Sequence, residues 1–92
     1  MKSFEEKVFS IVKKIPEGKV LTYKEVALLS GKPRAWRSVG NILNGNPRPF
    51  VVPCHRVIRS DGFIGGYKYG IKKKSALLKK EGLIIKKGRI AL

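Results

Sequence analysis

The sequence predicts a mainly α domain with short β elements, organised around a helix-turn-helix. Two helix-start signatures, Ser3 to Glu6 and Thr22 to Glu25, each open a run with apolar residues at helical spacing. A second short, arginine-bearing helix follows the second signature after a turn containing Gly31. Short apolar runs at 57–58, 83–85 and 89–91 are bounded by turn residues and read as strands.

The first helix is predicted from about Phe4 to Lys14, burying Phe4, Val8, Ile11, Val12 and Ile15. Pro16-Glu17-Gly18-Lys19 ends it, and Val20-Leu21 leads in extended form to the second helix, which runs through Leu29. Gly31 stands where a C-terminal glycine cap belongs. The third helix opens with Pro33 and runs to Leu43, with Val39, Ile42 and Leu43 inward and Arg34, Arg37, Ser38 and Asn41 elsewhere. This pair reads either as a helix-turn-helix or as an ordinary helical hairpin. The stretch from Asn44 to Pro49 is a loop, and Phe50-Val51-Val52 carries Pro53 and Cys54 into the interior. Arg59-Ser60-Asp61-Gly62 is a hairpin-type turn. Gly65 to Gly70 suits a loop closing over a planar ligand, or a plain connection. A fourth helix spans about Ile71 to Glu81, stopped by Gly82, and a hairpin around Lys86-Lys87-Gly88 closes the chain.

A chain of 92 residues makes one domain, 1–92, and its 42% hydrophobic content suffices for a modest core. One cysteine excludes an intramolecular disulfide and a cysteine-rich metal site, and no apolar run approaches membrane-spanning length. Those features, with an acidic N-terminus unlike a signal peptide, predict a cytoplasmic protein with no membrane association. The charge is distinctive: 21 Lys and Arg against six Asp and Glu give +15. No acid falls between Glu25 and Asp61, whereas Lys32, Arg34, Arg37, Arg48, Arg56 and Arg59 do. Such a field attracts polyanions, nucleic acid foremost, although lysine-rich surfaces also serve solubility and high temperature.

The only cysteine and the only histidine adjoin, in Pro53-Cys54-His55-Arg56-Val57-Ile58. A thiol beside an imidazole and a guanidinium suits a reactive sulfur, because the thiolate is the nucleophile. The pair alone reads more readily as a buried apolar cysteine beside a core histidine.

Context decides between them. Val20-Leu21-Thr22-Tyr23, Arg37-Ser38-Val39-Gly40-Asn41, Asn46-Pro47, Pro53-Cys54-His55-Arg56-Val57, a Gly-Tyr loop and Leu78-Lys79-Lys80-Glu81-Gly82 occur in one order at compatible spacings. Together, from about Phe4 to Gly82, they resemble the C-terminal DNA-binding domain of the O6-alkylguanine-DNA alkyltransferases, a winged helix-turn-helix-like fold.

The resemblance implies a single-turnover repair protein that flips O6-alkylguanine out of duplex DNA and takes the alkyl group irreversibly on Cys54. His55 is similar to the histidine that receives the thiol proton through a bound water, and Glu81 to the carboxylate that orients it. Tyr23 resembles the tyrosine that hydrogen-bonds the flipped base and protonates the departing guanine. Asn46 resembles the asparagine tying the helix-turn-helix to the active-site loop. Arg37 corresponds to the arginine that enters the duplex and fills the space of the extruded nucleotide. Ala35, Ser38 and Gly40 match small positions that let the helix lie close in the minor groove, and Thr22 joins this DNA-binding set. Pro49, Val57, Tyr67 and Lys68 align with positions around the base, several acting through backbone groups.

Two residues depart from the family pattern. Trp36 replaces a small residue before the arginine, and either packs inward or stacks on DNA; Lys68 stands where serine is common. The family's additional N-terminal domain has no counterpart here, so either the minimal domain works alone as a monomer or a second protein supplies the rest. The implied chemistry needs no cofactor and no metal. A rival reading is a non-enzymatic alkyltransferase-like protein that flags the lesion for excision repair; such proteins lack the reactive cysteine, which Cys54 supplies. A plain DNA-binding protein with a vestigial site is a third.

Overall fold

The computed structural model describes residues 2–48 and 51–91. In order these form α1 (Phe4–Lys13), β1 (Leu21–Thr22), α2 (Tyr23–Leu29), α3 (Trp36–Asn44), a 3-10 turn (Cys54–Arg56), β2 (Val57–Ile58), α4 (Ile71–Lys80), β3 (Ile84–Lys86) and β4 (Arg89–Ala91).

Both predicted capping boxes are present. Ser3 Oγ accepts the Glu6 N–H and Thr22 Oγ1 the Glu25 N–H, each at 3.1 Å, while the glutamates reach back to the cap N–H groups. Two otherwise orphaned donors are thus satisfied at each helix start. Val8 and Val12 of α1 and Ile15 just beyond it are buried, and Phe4 and Ile11 are half-buried at the edge of the stripe. Val26 and Ala27 of α2 and Val39 and Leu43 of α3 complete this core with Cys54 and Val57. Each fully buried valine contributes roughly 1.5–3 kcal/mol of transfer free energy. A second cluster, Ile58, Ile64 and Leu78, anchors α4 beneath the terminal hairpin.

Helices α2 and α3 form the helix-turn-helix, with Gly31 at φ +90° just past the Ser30 cap. The third helix begins at Trp36, not at Pro33. Residues 32–35 instead close a turn in which the Ala35 N–H donates to Lys32 O at 2.9 Å, leaving Pro33 and Arg34 outside the helix. Val51 and Val52, on the approach to Cys54, form no strand. Both N–H groups donate to Arg48 O, forming a tight turn that leaves Val51 exposed. Phe50 lies outside the described residues.

The sequence did not disclose that β1 and β2 pair in parallel, Leu21 with Val57 and Thr22 with Ile58. The crossover a parallel pair requires is supplied by α2 and α3. This ladder joins the start of α2 to the residues directly after Cys54-His55-Arg56. The terminal hairpin is as expected, with Lys87 and Gly88 both at positive φ in its two-residue turn. No helix among the described residues is long and apolar enough to cross a membrane.

Candidate active site and nucleic-acid interface

Cys54 is 5% exposed and opens a 3-10 turn, at the wall of a cleft of about 340 Å³. Tyr23, Gly40, Asn41, Leu43, Asn44, Gly66, Tyr67 and Lys68 line the rest of the cleft. Tyr23 arrives as the first residue of α2, delivered by the β1–β2 ladder, and so stands across the cleft from the turn carrying the cysteine.

Behind Cys54, His55 and Arg56 both turn to Glu81. His55 Nε2 lies 2.7 Å from Glu81 Oε2, and Arg56 closes a bidentate pair on the same carboxylate, Nε to Oε1 and Nη2 to Oε2, each 2.9 Å. Arg56 Nη1 donates to Ile15 O at 2.8 Å, fastening the arrangement to the end of α1. Burial would raise the Glu81 carboxyl, but hydrogen bonds from Arg56 and His55, the His55 charge and the Gly18 N–H outweigh it and hold the pKa at about 2. An ionised carboxylate only accepts, so Nε2 carries the proton facing it. In the neutral ring the lone pair then falls on Nδ1, which is buried and has no hydrogen-bond partner among the described residues. An imidazole nitrogen so presented is a proton acceptor in waiting.

Gly18 completes the support. It adopts φ +83°, and a Cβ there would stand 3.3 Å from Glu81 O. Glycine allows both the left-handed backbone and the close approach that brings its N–H within 3.4 Å of Glu81 Oε1.

The Tyr23 phenol is pushed above its ordinary value by burial and then by negative charge at Cys54, and Tyr67 by the same two causes and by Tyr69. Both therefore remain protonated donors at neutral pH. Asn46, 1% exposed, donates from Nδ2 to Val52 O at 2.8 Å and accepts the Arg48 N–H at 3.0 Å. It ties the end of α3 to the loop approaching Cys54 and does not line the cleft.

Several sequence expectations change in detail. Val57 does not line the cleft: its side chain is fully buried in the core and its carbonyl accepts from Lys74 Nζ at 2.7 Å. Gly40 lines the cleft beside Tyr23. Thr22 Oγ1 is used by the α2 cap, which leaves only its hydroxyl proton to offer a phosphate. Pro49 lies outside the described residues. Arg37 and Ser38 are exposed at the start of α3, with Ala35 half-buried just before it. Trp36 turns outward, 38% exposed, with Lys24 Nζ 5.4 Å from its ring centroid.

Lys74 is the residue sequence reasoning missed. It is 0% exposed, and its ammonium donates to Val57 O and to Gly66 O at 3.0 Å and sits 5.7 Å from the Tyr23 ring centroid. Burial lowers its pKa to about 8, with negative charge at Cys54 acting in the opposite sense. In sequence it is one of three consecutive lysines, Lys72-Lys73-Lys74, and only the period of α4, which places it four residues before Leu78, distinguishes it.

Comparison with known proteins places the chain in a family. Residues 3–83 match the family model described as the 6-O-methylguanine DNA methyltransferase, DNA binding domain, and the chain belongs to that family. It is 49% identical over 80 residues to the methylated-DNA--protein-cysteine methyltransferase of Methanothermobacter thermautotrophicus, covering 87% of this chain and 44% of the relative. It is 42% identical over 75 residues to the human protein of that name, covering 82% and 36%. The chain thus spans half or less of the length of these relatives. Among solved structures, Mycobacterium tuberculosis OGT in complex with DNA superposes with a TM-score of 0.84 at 40% identity, over 89% of this chain and 50% of that one. S. pombe Atl1, bound to damaged DNA containing O6-carboxymethylguanine, gives 0.86 at 35% identity over 100% and 92%.

Proposed function

We propose that this chain is a single-turnover DNA repair protein that extrudes O6-alkylguanine from duplex DNA and transfers the alkyl group to Cys54. The observation that carries the reading is the lone pair of His55 Nδ1, on the residue that follows the cysteine, buried and without a partner among the described residues because Glu81 takes the other nitrogen. A structural histidine satisfies both nitrogens; a base keeps one open.

In this mechanism α3 enters the minor groove with Arg37 and Trp36 leading, and the target base swings into the cleft, since O6 of a stacked guanine is out of reach of a protein sulfur. His55 Nδ1 takes the Cys54 proton through one bridging water. The thiolate attacks the alkyl carbon; the S–C bond forms as the C–O6 bond breaks, and the bonding pair leaves on the purine. Tyr23 donates its phenolic proton to the departing guanine and recovers one from the imidazolium, so the thiol proton ends on the restored base. The resulting thioether is not reversed, and each molecule acts once.

Intact mass after incubation with an O6-methylguanine duplex, followed by peptide mapping, tests this. One methyl on Cys54 with guanine restored is expected; tight lesion binding with no adduct overturns it. That second outcome would favour a recognition protein that flags the lesion. The likeness to Atl1 over 92% of its length keeps that reading in view, with Cys54 as the feature against it.

A further inference from the structure

We propose that Lys68 makes the cleft selective for O6-substituents that end in an anionic group, carboxymethyl being the smallest carbon-linked example. The inference rests on the alkyl-transfer reading and specifies its substrate class. Lys68 is the one cation lining the cleft among the described residues, and no carboxylate lines it. Among the described residues its Nζ makes one protein hydrogen bond, to Asn46 O at 2.8 Å, and an ammonium has three protons to donate. That bond draws the ammonium in toward the end of α3, and no described residue takes the other two protons. The Tyr69 ring braces it, with Lys68 Nζ and Lys73 Nζ 5.8 and 5.6 Å from its centroid, while Tyr69 itself packs edge-on against the cleft residue Tyr67 at 5.6 Å. Glu81 does not line the cleft and is engaged by His55 and Arg56, so no carboxylate among the described residues pairs with this ammonium.

The chemistry gives such a cation a use. When a thiolate attacks a carbon that carries a carboxylate, two anions converge in a cleft that screens them poorly. An ammonium beside the substituent offsets that repulsion and adds a charge-assisted hydrogen bond. The S–CH2 bond forms, the CH2–O6 bond breaks with its pair leaving on guanine, and Cys54 becomes S-carboxymethylated. A methyl substituent offers Lys68 nothing to hold.

Two duplexes differing only in O6-methylguanine or O6-carboxymethylguanine provide the test, with single-turnover rates of Cys54 alkylation as readout. In wild type against Lys68→Gln, the carboxymethyl-to-methyl rate ratio is expected to fall about tenfold, the worth of one hydrogen bond to a charged group. Lys68→Glu should lower it further and Lys68→Arg should restore it. An equal loss on both duplexes overturns the proposal, showing that Lys68 serves a backbone phosphate common to them. An unchanged ratio overturns it also. If wild type alkylates with neither duplex, the transferase reading itself fails, and the ratio of the two lesion affinities then decides the selectivity.

Discussion

His55 and Glu81 stand 26 residues apart in sequence and meet with Nε2 and Oε2 2.7 Å apart, in a contact only 9% and 8% exposed on its two sides. Glu81→Gln removes the charge while keeping the shape, leaving the half-buried Arg56 without its counter-ion. Breaking a buried pair from one side costs about 3 kcal/mol. Alkyl transfer should slow roughly a hundredfold, the usual worth of an oriented base. Affinity for a lesion duplex should hold, and an equal loss of binding and transfer would show Glu81 to be purely structural.

The same carboxylate sets an acid limit. Its folded pKa of about 2 lies below the ordinary 4.5, so it contributes stability that is complete above 4.5 and is lost as pH falls toward 2. Urea midpoints of wild type and Glu81→Gln should converge across that window. Curves that stay parallel would place the acid sensitivity elsewhere.

Lys74 acts in the opposite sense at high pH. Its folded pKa of about 8 lies below 10.5, so the fold pays a penalty for the charged form that is full below 8. Between 8 and 10.5 the unfolded chain binds more protons, and this group makes stability rise with pH by about 3 kcal/mol at most. Wild type should therefore gain on Lys74→Met across that interval. Lys74→Met should also be less stable at neutral pH, because Val57 O and Gly66 O lose their shared donor.

Arg37 is exposed on the first turn of α3, where it has no protein partner to satisfy among the described residues. Arg37→Ala should slow repair more than it weakens binding, because its proposed work is to hold the extruded state. The salt slope of binding should change by about one or less. Equal proportional losses in rate and affinity would reduce Arg37 to a phosphate contact.

Tyr23→Phe removes the proton donor and little else, since the hydroxyl makes no hydrogen bond among the described residues. Transfer should slow roughly tenfold or more while the melting temperature stays within a few degrees. A large stability loss would make the phenol a core group instead.

The helices were legible because their starts are written locally: Ser3 with Glu6 and Thr22 with Glu25 each need four adjacent residues and no tertiary partner. The start of α3 was not, because Pro33 is as acceptable in the turn before a helix as at its first position, and Ala35 gives no side-chain cap. The Cys54–His55 adjacency drew attention to the site, but Arg56 looked like a companion of the sulfur and proved to be a clamp on Glu81. Only the three-dimensional meeting of the α1 end, the 3-10 turn and the α4 end shows this. The β1–β2 ladder was hidden for the same reason, since two residues on each side carry no periodicity to read.

Four of the six acidic side chains are hydrogen-bonded within the protein: Glu6 and Glu25 in caps, Asp61 with Arg59, and Glu81 in the clamp with Arg56 and His55. Most of the negative charge is thereby tied up in internal bonds, while every lysine and arginine except Lys74 and Arg56 is left exposed. If the proposed single-turnover transfer holds, turnover number has no meaning for this protein, and performance lies in how quickly each molecule surveys a genome. A surface this one-sided favours sliding along the duplex between dissociations, so the internal bookkeeping of a few carboxylates becomes, at the scale of the chromosome, a search strategy.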